Sequence, residues 1–125
     1  MKFDIISPIL GFEDIKEVSL EKFDDIFMIM RCTKEKHISF TLIDPFVLRE
    51  YDFEVPQNLQ EALNIDKNSN IIVLNIVLIQ NPIQNSVVNF AAPMIFNTDN
   101  NKAAQIVLSD STFGVADRIS AYLKK

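Results

Sequence analysis

Apolar and polar positions alternate along most of this chain with a period of two, the signature of half-buried β-strands. Lys2–Ile6 sets Phe3 and Ile5 against Asp4 and opens the series, and Ser7-Pro8 breaks it. Ile15–Leu20 is a short strand. Ile26–Thr33 is strand-like and apolar on both faces until Arg31. Ile38–Asp44 sets Ile38, Phe40 and Leu42 against Ser39 and Thr41. Arg49–Val55 alternates most cleanly, with Tyr51, Phe53 and Val55 on one face and Glu50, Asp52 and Glu54 on the other, as in an outer strand with an acidic solvent face.

The stretch Ile71–Asn97 organises the rest. Ile71–Ile79 is apolar at odd and even positions alike and rich in β-branched residues, so it predicts a central strand covered on both faces. Asn81-Pro82 and Gln84-Asn85-Ser86 carry turn chemistry, and Val87–Asn97 is expected to pair back against the first run. Pro93 interrupts that return with an edge or a bulge. Ala103–Ser109 predicts a further strand. Only two segments have helical spacing: Pro56–Asn64, with Leu59, Ala62 and Leu63 on one stripe, and residues 115–123, with Val115, Ile119, Tyr122 and Leu123 aligned ahead of Lys124 and Lys125. The pattern predicts an all-β, single-domain antiparallel barrel or sandwich over 1–125, with a short helix near 56–64 and a C-terminal helix near 115–123 that either caps the barrel or meets a partner.

Composition fits that picture. At 125 residues and 48% hydrophobic content the chain forms one core and is not globally disordered. With two glycines, the turns must rely on Asn, Asp and Lys, and Gly11 marks a position that calls for positive φ. The net charge of −5 disfavours direct nucleic-acid binding. The single cysteine, Cys32, forbids an internal disulfide and reads as a small buried hydrophobe. No signal-peptide pattern opens the chain, and 71–79 is far shorter than the roughly 20 residues of a membrane span. A soluble cytoplasmic protein without membrane contact is expected.

The sequence offers little to a search for reactive chemistry. His37, the one histidine, lies in a charged turn without companions for a metal or triad site. Asp24-Asp25 are adjacent turn carboxylates, and Ser109-Asp110-Ser111 has no base beside it. No catalytic residue, metal site or cofactor site is expected, and a binding module is favoured over an enzyme. Asn75, Asn89 and Gln105 interrupt apolar strands. An amide buried without a partner costs about 1–3 kcal/mol, so each either bonds to backbone at an irregularity or faces a groove.

Several motifs, in order, resemble the FliW family of flagellar assembly factors: Gly11-Phe12-Glu13, then Phe40 through Phe46 (FTLIDPF), Val73 through Val77 (VLNIV), Asn89 through Asn97 (NFAAPMIFN), and Ala104 through Leu108 (AQIVL). The resemblance spans about residues 3 to 110. Ile9-Leu10 stand where the family usually has a proline and a second glycine, and the tail after Phe113 follows no family pattern. The resemblance implies a non-enzymatic β-barrel that binds flagellin in the cytoplasm as a chaperone. It also implies binding to the carbon storage regulator CsrA, relieving its repression of flagellin translation. Candidate partner-binding positions are Gly11, Phe12 and Glu13 in a loop, Asp44, Pro45 and Phe46 at a corner, and Asn89, Pro93 and Asn97 on the irregular strand. A small-ligand or enzymatic barrel, and a purely structural subunit, stand as alternatives.

Overall fold

A computed structural model describes residues 1–109 and 112–122. Readings that fell on Asp110, Ser111 and Leu123–Lys125 lie outside the described residues. The strands are β1 (Lys2–Ser7), β2 (Glu17–Lys22), β3 (Phe27–Cys32), β4 (Ser39–Ile43), β5 (Ile71–Leu78), β6 (Val87–Val88), β7 (Met94–Asn97), β8 (Lys102–Gln105) and β9 (Asp117–Arg118). One α-helix, α1, covers Gln57–Leu63. The ladder runs β4-β3-β2-β1-β8-β7-β5, and a β4–β5 pairing closes these seven strands into a barrel. β6 and β9 extend the sheet beyond the free end of β5. Among the described residues every strand pairing is antiparallel except β1 with β8, which run parallel. That one departs from the wholly antiparallel expectation, because the chain reaches β8 only after the β5–β7 excursion.

The two-sided apolarity of β5 has a direct cause. Ile72, Leu74 and Ile76 point into the barrel, where they join Phe3, Val18, Met30, Leu42, Met94 and Phe96 in one cluster. Phe3 meets Phe96 edge-on at 5.0 Å, and the interior is filled by side chains. The opposite face of β5 lies under a second layer. Ile71 and Val73 pack beneath α1 with Leu63, Ile95 and Ile106. Val77 packs with Phe27, Ile43, Tyr51, Phe90 and Ile119. As predicted, both arms of the return segment pair with β5: Val87–Val88 against Val77–Leu78, and Met94–Asn97 against Ile71–Leu74. Residues 89–93 between them leave the ladder.

Helix α1 starts just after Pro56 and ends at Asn64, whose φ of 54° is left-handed and whose N–H returns to Gln60 and Glu61. Three further expectations are corrected. The C-terminal helix at 115–123 is absent from its described part. Asp117–Arg118 is a strand on β6, and Ile119–Ala121 is one 3-10 turn. Ile119 is buried, while Val115 on the supposed same stripe is 70% exposed. A strand hydrogen bond from the Ile119 N–H to the Ser86 carbonyl, 2.8 Å, prevails over a weak local helical preference. Arg49–Val55 is also not a strand. Its alternation is real, with Tyr51 buried and Asp52 and Glu54 exposed, but the segment lies across the barrel's outer face and pairs with no ladder. β8 is likewise shorter than its predicted range and stops at Gln105. No described helix is long and apolar enough to cross a membrane.

Candidate functional site

The nine positions singled out in the sequence fall into three environments. Gly11 sits at φ +85°, and its N–H donates to Glu13 Oε2 at 2.9 Å. The turn is closed by the Phe12 N–H on the Ile9 carbonyl, 2.9 Å. Phe12 meets Phe40 edge-on at 4.9 Å yet remains 43% exposed. Buried Ile9 anchors the loop from below, and the Leu10 N–H donates to Gln105 Oε1 at 2.8 Å. Gln105 is therefore satisfied by backbone at the barrel end, as its Nε2 contact with the Ala92 carbonyl also shows. Beside this loop is a concavity of about 290 Å³, lined by Gly11–Glu17, Cys32, Lys34, Glu35 and Ile38.

At the other end of β4, Asp44 Oδ1 accepts from the Phe46 N–H at 2.9 Å and caps the 3-10 turn Pro45–Val47. Pro45 is buried and Phe46 is 56% exposed, so the corner holds an aromatic ring out beside the barrel. The sequence did not single out the apolar neighbours that share this rim, Phe23, Ile26 and Val47, all exposed. Phe23 stood in a turn and Val47 beside a corner, where periodicity says nothing about exposure, and Ile26 opened the predicted strand Ile26–Thr33, which in the structure begins only at Phe27.

The third group lies inward. Asn97 is buried; its Nδ2 donates to the Leu63 carbonyl at 2.8 Å, and its Oδ1 accepts from the Asp99 N–H at 3.0 Å. It ties the end of α1 to the sheet, together with Asn100 Nδ2 on the same carbonyl. Pro93 is buried, and its carbonyl accepts from the Ile106 N–H. Asn89 is half-buried, and its Oδ1 accepts from the Ala91 N–H at 3.1 Å. These three shape the irregular crossing, and Pro93 and Asn97 present no side chain to a partner. The structure thus separates the loop at Gly11–Glu13 from the corner at Asp44–Phe46 by the length of β4, while Gln105 links the loop, through Leu10, to the Ala92 carbonyl beside Pro93.

Among the described residues, reactive groups do not converge. His37 is exposed in its turn, Cys32 is buried, and no described cluster of His, Cys, Asp or Glu could hold a metal. Asp24 Oδ1 accepts from the Ile26 and Phe27 N–H groups at 2.8 and 2.7 Å, and those bonds to Phe27 and Ile26 lower its pKa. Its role is to cap the β2–β3 turn.

The most elaborate polar arrangement surrounds Arg49, which the sequence reading passed over. Its guanidinium lies 5.1 Å from the Phe113 ring centre, 5.3 Å from Phe90 and 5.6 Å from Tyr122. Its Nε donates to the Glu50 carbonyl, and Tyr122 OH donates to Asp117 Oδ2 at 2.9 Å. This box fastens residues 113–122 to the barrel. Only an isolated arginine in the sequence marked it, with partners 41 to 73 residues away.

The chain is similar to several known proteins along nearly all of its length. The model of the family described as "FliW protein" matches residues 2–119. A protein of Sulfurimonas denitrificans described as "Flagellar assembly factor FliW" is 65% identical over the full length of both chains. "Flagellar assembly factor FliW 2" of Wolinella succinogenes is 45% identical, covering 98% of this chain and 92% of its own. "Flagellar assembly factor FliW" of Campylobacter lari is 40% identical, covering 100% and 98%. A crystal structure described as that of the flagellar assembly factor FliW superposes with a TM-score of 0.90, covering 99% of this chain and 87% of that one. At 22% identity it speaks to the fold alone.

Proposed function

The chain belongs to the FliW family of flagellar assembly factors, and from that membership we propose that it is a non-enzymatic, cytoplasmic protein that works by binding other proteins. Flagellin is the first partner, held as a chaperone holds its client. CsrA is the second, and its capture relieves repression of flagellin translation. The observation that carries this reading is the family match along nearly the whole chain. Two physical features support it. The barrel interior is packed with apolar side chains, so the protein's business is on its outside. The net charge of −5 suits a partner such as CsrA, whose RNA-binding surface must be basic.

Calorimetric titration of the purified protein with flagellin and with CsrA tests this. Saturable binding to each at micromolar concentration is expected, with CsrA released as flagellin is added. Absence of a complex with either partner overturns the reading.

A further inference from the structure

The barrel is incompletely laced at one seam. β4 stops at Ile43, opposite Asn75, and turns away into the Asp44–Val47 corner. β5 begins four residues earlier, so Ile71–Leu74 carries β7 on one side and no described strand on the other. Alternate residues of a strand aim their N–H and C=O groups to opposite sides, so half of this stretch presents backbone to the seam. A concavity of about 380 Å³ opens along it, floored by Ile71–Leu74 and walled by Ile26, Met28 and Phe46. Ile26 is 45% exposed and Phe46 56%, and with the Ile71–Leu74 floor they line one groove rimmed by polar groups, the pattern of an interaction site.

The rim is acidic. Asp24, Asp25 and Asp44 line the concavity, and the one cation there, Lys22, lies 3.8 Å from Asp25. A second copy of this chain would bring the same carboxylates against these, so the rim guards the open edge against self-pairing. The same charge attracts a cationic segment.

We propose that the seam takes an extended protein segment of alternating apolar and Lys or Arg residues, added as a strand along Ile71–Leu74. Backbone pairing supplies the affinity, the Ile26 and Phe46 side chains take the apolar positions, and the carboxylates select the basic ones. The proposal rests on the reading of this protein as a binder of other proteins, and it assigns that work a surface.

The test uses a ten-residue fluorescent peptide of alternating Lys and Val, with a Glu–Val counterpart, against the full chain. Expected are saturable binding of the Lys–Val peptide, at least tenfold weaker binding of the Glu–Val peptide, and weakening with salt. The double variant Ile26→Lys/Phe46→Lys should lose at least tenfold, with its thermal midpoint recorded to show that it folds. Asp25→Lys, whose side chain is fully exposed, is a second variant with no core contact and should lose several-fold. Val115→Lys, 70% exposed and outside the seam, should bind as the parent does. Equal binding of the two peptides, no binding of either, undiminished binding by both seam variants, or a dimer in sedimentation that the seam variants dissociate would each overturn the proposal. Flagellin and CsrA titrations run alongside separate the two readings. If the parent binds them and the seam variants bind equally well, the seam falls and the function stands.

Discussion

Asn75 Nδ2 donates to the Tyr51 hydroxyl at 3.1 Å, joining the middle of β5 to a segment that belongs to no sheet. The same nitrogen donates to the Asn89 carbonyl at 2.9 Å, and the Tyr51 hydroxyl in turn donates a hydrogen bond to the Phe90 carbonyl. Asn75 and Tyr51 are both buried, so each bond holds where water does not compete. Asn75→Ala should destabilise the protein by about 2 kcal/mol, since it leaves the Asn89 carbonyl without its donor. Tyr51→Phe should cost a similar amount. Urea denaturation of both single variants and the double should give less than the sum, because the two changes break one network.

The chain's two tyrosines, Tyr51 and Tyr122, should ionise late. Burial raises the Tyr51 pKa, only partly opposed by the Asn75 hydrogen bond and Arg49. Burial also raises Tyr122, and its hydrogen bond to the Asp117 carboxylate adds to the rise. A phenol whose folded pKa lies above its unfolded value stabilises the fold fully below about pH 10 and loses that contribution as pH climbs through the folded value. Phenolate absorbance should therefore rise at higher pH in the native protein than in urea, and the urea midpoint should fall above pH 10. Identical titration curves in the two states would contradict this.

Arg49 binds the C-terminal segment through ring faces rather than through a salt bridge. Arg49→Lys keeps the charge but loses the flat guanidinium that lies against Phe90, Phe113 and Tyr122. Either Arg49→Lys or Arg49→Ala should speed amide hydrogen exchange over residues 113–122 while leaving β1–β4 protected. The cost is about 1–2 kcal/mol for the alanine variant.

Gly11 isolates a backbone effect. A Cβ there would meet nothing within 4 Å, so Gly11→Ala adds no clash, but the φ of +85° disfavours any L side chain. A loss of about 1 kcal/mol is expected by thermal or urea unfolding. Gly11→Asn, which tolerates positive φ better, should lose less.

The candidate site was legible where it depended on local chemistry. The need for a glycine at position 11 and the corner made by Asp44-Pro45-Phe46 both follow from residue types and near neighbours. The exposure of Phe23, Ile26 and Val47 was not legible, because it depends on which strands end nearby. The Arg49 box was hidden for a related reason, since its rings arrive from two distant segments, at Phe90 and at residues 113–122. Pro93 read as an edge or a bulge, and both it and Asn97 were candidate partner-binding positions on the irregular strand. In the structure they are interior fittings that hold α1 and the Ala91–Pro93 crossing.

By itself the sequence determined most of the barrel strands, a short helix near 56–64 and the double coverage of β5, because side-chain periodicity records how many faces of an element are buried. It could not say what buries them. Whether Arg49–Val55 joins a ladder, whether Val115–Tyr122 coils or extends, and where β4 leaves β5 open were decided by long-range backbone pairing. Those hydrogen bonds leave no periodic trace in the residues that make them, because every residue but proline carries the same donor and acceptor.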